Sequence, residues 1–97
     1  MVKGYLLGQI TISDKSQYKI YDSKIGKVIE EFGGKYLLKG GLRIVKEGNP
    51  SFQRDVLVEF KDIKIARRFF SSQKFKKISK FRKAGSTGFL LLLNGKE

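Results

Sequence analysis

Neither cysteine nor histidine occurs among the 97 residues. Without cysteine there are no disulfides, no thiolate metal ligands and no thiol nucleophile, and nothing ties the chain to an oxidising compartment. Without histidine the commonest general base and the commonest metal ligand are both missing. Any chemistry falls to Asp, Glu, Tyr, Lys, Ser or Thr, and no metal site or bound cofactor is expected. The single proline, Pro50, stands in the turn Glu47-Gly48-Asn49-Pro50, where it interrupts no element. The longest apolar run, Phe89–Leu93, is five residues, far short of the roughly 20 that a membrane helix needs. The opening Val2-Lys3-Gly4 leads into an alternating pattern without the apolar run and cleavage site of a secretory signal, so a cytoplasmic protein is expected. The length suits one domain over residues 1–97, with a modest core.

What is present reads as regular structure punctuated by glycine. Gly4–Ile12 alternates Leu6, Ile10 and Ile12 on one face with Tyr5, Leu7, Gln9 and Thr11 on the other, which is strand periodicity. Asp14 and Gln17 have capping-box spacing, and Tyr18, Tyr21, Ile25, Val28, Ile29 and Phe32 follow at intervals of three and four, predicting a long amphipathic helix. Gly26, in its middle, should cost up to about 1 kcal/mol relative to alanine unless close packing requires it. Gly33-Gly34 ends that helix, Lys35–Lys39 is a second strand, and Gly40-Gly41 turns the chain out again. Leu42–Lys46 reads as a short edge strand, and Asp55–Phe60 as a third main strand. Asp62 caps a helix with the stripe Ile63, Ala66, Phe69 and Phe70. Ser71-Ser72 interrupts it, and Phe75, Ile78 and Phe81 carry a second helical segment to Gly85. Thr87–Leu93 is the last strand.

This order predicts an α+β, ferredoxin-like βαββαβ fold, a four-stranded antiparallel sheet with its helices on one face. The last strand is apolar on both faces, and Tyr5, Leu7 and Leu57 add apolar groups to the face the helices leave open. So short a chain has no further layer to cover them, and a homodimer packed sheet to sheet is expected.

The run Phe32-Gly33-Gly34-Lys35-Tyr36-Leu37-Leu38-Lys39-Gly40-Gly41 is followed by Glu47-Gly48, by Arg54 ahead of Val58-Glu59-Phe60, and by Ala66, Phe70-Ser71-Ser72 and Arg82. Together these resemble the bacterial domain-of-unknown-function family 1330, over almost the whole chain. The resemblance implies membership of the dimeric α+β-barrel superfamily, with a ferredoxin-like protomer. That superfamily holds cofactor-independent monooxygenases, haem-degrading enzymes, isomerases and ligand binders, so it implies a small-molecule-binding homodimer without selecting a reaction. Lys39 stands where relatives often have arginine, and Ser72-Gln73-Lys74-Phe75 replaces their Ser-Pro-Glu-Tyr, removing an acid and a phenol. A haem reading lacks its histidine ligand.

The candidate site residues are Glu59 as a catalytic base or polar anchor, and Lys39, Arg82, Tyr5, Gln9 and Tyr21 as ligand-binding groups. Alternation sets Glu59 opposite to Val58 and Phe60, away from the helices, where it lines the expected dimer barrel with Tyr5 and Gln9. There it could pair with Lys39 around an anionic or carbonyl ligand; the structural alternative is an interface salt bridge. Tyr18 and Tyr21 lie on the helical stripe, which is first a packing position, though the Tyr21 hydroxyl could reach a cleft. The Gly-Gly pairs lack the spacing and the Lys-Ser ending of a phosphate loop, so they serve turns.

Acidic residues are scarce as well: the formal charge is +12 at pH 7. Between Ile63 and Lys96 stand Lys64, Arg67, Arg68, Lys74, Lys76, Lys77, Lys80, Arg82, Lys83 and Lys96, and no acid. A basic module that binds nucleic acid or another polyanion through residues 63–96 is therefore the alternative function. Against it, 16 of the 21 cations are lysine, as a compositional bias would write them, and no nucleic-acid-binding motif accompanies them. Phe69, Phe70, Phe75 and Phe81 are expected on the buried stripe rather than exposed for base stacking.

Overall fold

The computed structural model describes residues 2–96. Its elements follow the sequence pattern closely: β1 (Gly4–Ile12), α1 (Lys15–Glu31), β2 (Lys35–Lys39), β3 (Arg54–Phe60), α2 (Ile63–Ser71), α3 (Gln73–Gly85) and β4 (Ser86–Asn94). The strands form one antiparallel sheet in the order β2-β3-β1-β4. β1 and β2, joined through α1, are thus separated by β3, as the split βαβ arrangement requires. The helices cover one face, where Leu6, Ile10, Val58 and Phe60 of the sheet pack with Tyr21, Ile25, Ile29, Ala66, Phe69, Phe75 and Ile78. Among the described residues no helix is long and apolar enough to cross a membrane.

Local chemistry sets the boundaries. Asp14 caps α1, its carboxylate accepting from the backbone N–H of Ser16 and Gln17. At the other end Gly33 adopts φ +71°, and the N–H groups of Gly33 and Gly34 close on the carbonyls of Glu30 and Ile29. Gly34 serves closeness instead, since a Cβ there would stand 2.7 Å from the Phe60 ring. Gly26 has open space where a Cβ would be, so packing does not require it. Asp62 caps α2 through the Ile65 N–H, and Ser72 caps α3 through the Phe75 N–H.

Three expectations are corrected. Leu42–Lys46 is not a strand: Gly40 and Gly41, at φ +70° and +93°, turn the chain off the sheet edge. Arg43 then ties the loop back through its side chain to Asp55 and the Phe52 carbonyl. Phe70 is exposed rather than on the buried stripe. Consecutive helical residues cannot share one seat, and Phe69 takes it among Phe60, Phe32 and Phe75. β3 and β4 also begin one residue earlier than expected, at Arg54 and Ser86, and β4 runs one further, to Asn94.

A β-bulge matters most for the site. Tyr36 faces Val58, but Leu38 faces Leu57 and Lys39 faces Val56, with the register shifting between Tyr36 and Leu38. Residues opposite each other in a ladder share a face, so Lys39 joins Val56 and Val58 beneath the helices, where simple alternation from Tyr36 would have sent it outward.

Candidate functional site

Between the sheet and α1 the core leaves a cleft. Gly8 lies between Leu6 and Ile10 on the helix face of β1, opposite Val56 and Leu90. A Cβ there would stand 2.8 Å from Leu90 Cδ2, so the Leu90 side chain lies close over the Gly8 backbone. Tyr18, Tyr21, Asp22 and Ile25 of α1 form the roof; Tyr36, Lys39, Arg54 and Arg82 complete the polar lining. The cleft takes in about 450 Å³ with the open solvent at its mouth, and its closed interior has room for about one water molecule.

Each polar group reaches the cleft for a simple reason. Arg54 heads β3 in phase with Val56 and Val58. Arg82 follows Phe75 and Ile78 on the buried stripe of α3, seven residues beyond the first. Lys39 is brought round by the bulge. Gly40 leaves room for the Arg54 guanidinium, which lies 2.9 Å from where a Cβ would be.

The electrostatics are lopsided. Lys39 Nζ is 3.3 Å from Asp22 Oδ1 and 4.9 Å from the centre of the Tyr36 ring. Arg54 Cζ sits 6.0 Å from the Tyr18 ring centre; Arg82 Cζ sits 6.0 Å from that of Tyr21 and 5.8 Å from that of Phe75. The two tyrosine rings are 5.6 Å apart. The Nε atoms of Arg54 and Arg82 are both buried without a hydrogen-bond partner. Burial drives the phenol pKa values of Tyr21 and Tyr36 far upward, against the pull of Arg82 and with the push of Asp22 respectively. Burial also raises that of Tyr18, partly offset by Arg54. All three are therefore neutral hydroxyls at physiological pH, able to donate. Among the described residues no cluster of acids could hold a metal ion.

The structure separates the six expected site residues into two sets. Tyr21, Lys39 and Arg82 line the cleft. Glu59, Tyr5 and Gln9 lie on the opposite face of the sheet, where the Tyr5 hydroxyl donates to Glu59 Oε2 at 3.2 Å and Gln9 Nε2 donates to Asp55 Oδ1 at 3.0 Å. The expected Lys39–Glu59 pairing does not form. Lys35, directly opposite Glu59 in the ladder, lies 3.7 Å from its carboxylate, while the bulge has taken Lys39 to the other face. The cleft also includes Tyr18, Asp22, Tyr36 and Arg54, which were not among the candidates. A cation in phase with Val56 and Val58 was the available signal for Arg54.

Of the cations between residues 63 and 96, Arg82 points inward and Lys74 pairs with Glu31. Lys64, Arg67, Arg68, Lys76, Lys77, Lys80, Lys83 and Lys96 are exposed.

The model of the family described as "Domain of unknown function (DUF1330)" matches residues 3–96. No curated protein matches the chain. Among solved structures, a protein of unknown function from Rhodopseudomonas palustris superposes with a TM-score of 0.77 at 16% identity, covering 99% of this chain and 84% of that one. SnoaB, a cofactor-independent oxygenase from Streptomyces nogalater, superposes with a TM-score of 0.56 at 13% identity, covering 100% and 96%. A putative antibiotic biosynthesis monooxygenase from Caulobacter crescentus gives 0.58 at 6% identity, covering 96% and 87%. At these identities the likeness is one of fold.

Proposed function

The chain belongs to the DUF1330 family, and on that premise we propose that it binds a small organic molecule in the cleft between the sheet and α1. One observation carries the reading: the Nε–H groups of Arg54 and Arg82 are buried in the cleft lining with nothing to donate to. A buried donor without a partner costs about 1–3 kcal/mol, and more when it is charged. A ligand with acceptor oxygens removes that cost and takes further donation from Tyr18, Tyr21 and Tyr36. The half-exposed Lys39 and Asp22 stand at the mouth.

Binding without chemistry is the reading the side chains favour. SnoaB is described as a cofactor-independent oxygenase, and general base catalysis in this cleft would need a free carboxylate or other base. Asp22 is the one carboxylate among the described cleft residues, and Lys39 already engages it. Glu59, across the sheet and held by Tyr5 and Lys35, then has a structural role. A second copy of the chain covers the open sheet face. The exposed cations of α2 and α3 offer a polyanion charge without base-reading groups, so binding there would be salt-sensitive and unspecific.

Thermal-shift screening of the intact chain against small carbonyl, phenol and carboxylate compounds tests this. A ligand at 100 times its Kd should add about 2.7 kcal/mol of stability. The gain should vanish in Arg54→Gln and Arg82→Gln; ligands that stabilise both variants as well as the parent would place binding elsewhere.

A further inference from the structure

The charges that line the cleft do not balance. Of its charged groups, Lys39 and Asp22 neutralise each other at 3.3 Å. Arg54 and Arg82 remain, and neither makes an ion pair with any described residue. The chain shows elsewhere how it holds a guanidinium for structure alone. Arg43 has Asp55 on both Nε (2.8 Å) and Nη2 (2.7 Å), with the Phe52 carbonyl on Nη1. Arg54 and Arg82 have aromatic faces instead, those of Tyr18, Tyr21 and Phe75. A ring face attracts a cation but accepts nothing from the Nε–H.

The identity of the unpartnered atom narrows the ligand. Nε–H and the neighbouring Nη–H form the side-on fork of arginine, which matches the two oxygens of a carboxylate. A carboxylate is smaller than a phosphate, which suits a closed interior with room for about one water molecule. Its walls away from the arginines are Leu6, Ile25, Val56, Val58 and Leu90, a surface for an apolar body.

We infer that the ligand is a small organic carboxylate, its acid group on Arg54 and Arg82 and its apolar part against Leu6, Val56 and Leu90. The inference rests on the reading of the cleft as the binding site. Benzoate, benzamide and phenyl phosphate share one ring and differ in the head group, so they separate charge from shape. Calorimetry on the intact chain should show benzoate binding at least about tenfold more tightly than benzamide, the discrimination expected of a charge-assisted hydrogen bond. Arg54→Gln and Arg82→Gln should abolish that preference. Amide chemical shifts of Gly8, Tyr21 and Arg54 in the parent chain, which need no variant to fold, should move with benzoate.

Equal affinity for benzoate and benzamide, with those amides shifting for both, would overturn the carboxylate and leave the cleft as a binding site. Tighter binding of phenyl phosphate than of benzoate would do the same. Binding of none of the three, or shifts confined to other residues, would overturn the reading and the inference together.

Discussion

Lys39 Nζ lies 3.3 Å from Asp22 Oδ1 at the mouth of the cleft, across the gap between β2 and α1. Lys39 is there because of the bulge between Tyr36 and Leu38. The side chains are 39% and 40% exposed, so the pair contributes little to stability, about 0–1 kcal/mol. Its effect on ligand charge should be larger. Asp22→Asn leaves Lys39 free and should strengthen benzoate binding severalfold. Lys39→Ala leaves Asp22 uncompensated beside an incoming anion and should weaken it by a similar factor. Calorimetry of the two variants reads opposite signs if the pair gates charge, and equal affinities if it is idle.

Glycines in this chain are not equivalent, and two substitutions should show it. Gly26 is helical with open space at its Cβ position, so Gly26→Ala should stabilise the chain by about 0.5–1 kcal/mol in urea unfolding. Gly40 sits at φ +70° with Arg54 Nη1 2.9 Å from where a Cβ would be. Gly40→Ala should cost roughly 1–2 kcal/mol in the left-handed conformation. It should also displace the Arg54 guanidinium, so that benzoate affinity falls while Gly26→Ala leaves it unchanged.

The acid limb of stability should carry the mark of Asp55. Hydrogen bonds from Arg43 hold its carboxyl below the usual range, with Gln9 adding to the effect and burial opposing it. A carboxylate whose folded-state pKa is depressed stabilises the fold above its unfolded pKa of about 3.9, and that contribution is lost as pH falls through the lower folded value. Asp55→Asn should therefore lower stability at neutral pH and flatten its fall below about pH 4. Parallel stability–pH curves for the two chains would show the Arg43 contact to be inert.

The elements were legible because their signals are local. Caps at Asp14, Asp62 and Ser72, the Gly33 stop and the alternation of β1 each need only a few neighbours in sequence. Alternation likewise sent Glu59, Tyr5 and Gln9 to the face away from the helices, where they lie. The cleft was less legible. A period of two cannot reveal a bulge, so Lys39 was matched with Glu59 rather than Asp22. Arg54 and Tyr36 meet α1 only when β2 and β3 come together from opposite sides of the Gly40–Gln53 loop. Leu42–Lys46 has strand composition, and what keeps it out of the sheet is the pair of positive φ angles at Gly40 and Gly41 together with the Arg43 anchor.

The open sheet face supplies the remaining prediction. Phe89, Leu91 and Leu93 of β4 are 37%, 44% and 41% exposed, and in the ladder they stand opposite Gln9, Leu7 and Tyr5 of β1, with Leu57 of β3 beyond Leu7. These residues make one apolar patch across three adjacent strands, the kind of surface a lone chain rarely leaves to water. The helices are already committed to the other face, so a second sheet of the same kind is the cover at hand. Sedimentation of the parent chain at micromolar concentration should give a dimer. Leu91→Arg, at the centre of the patch and far from the helix-side core, should give a folded monomer that still binds benzoate. A parent chain that sediments as a monomer would remove the dimer. A Leu91→Arg chain that stays dimeric would move the contact to another face.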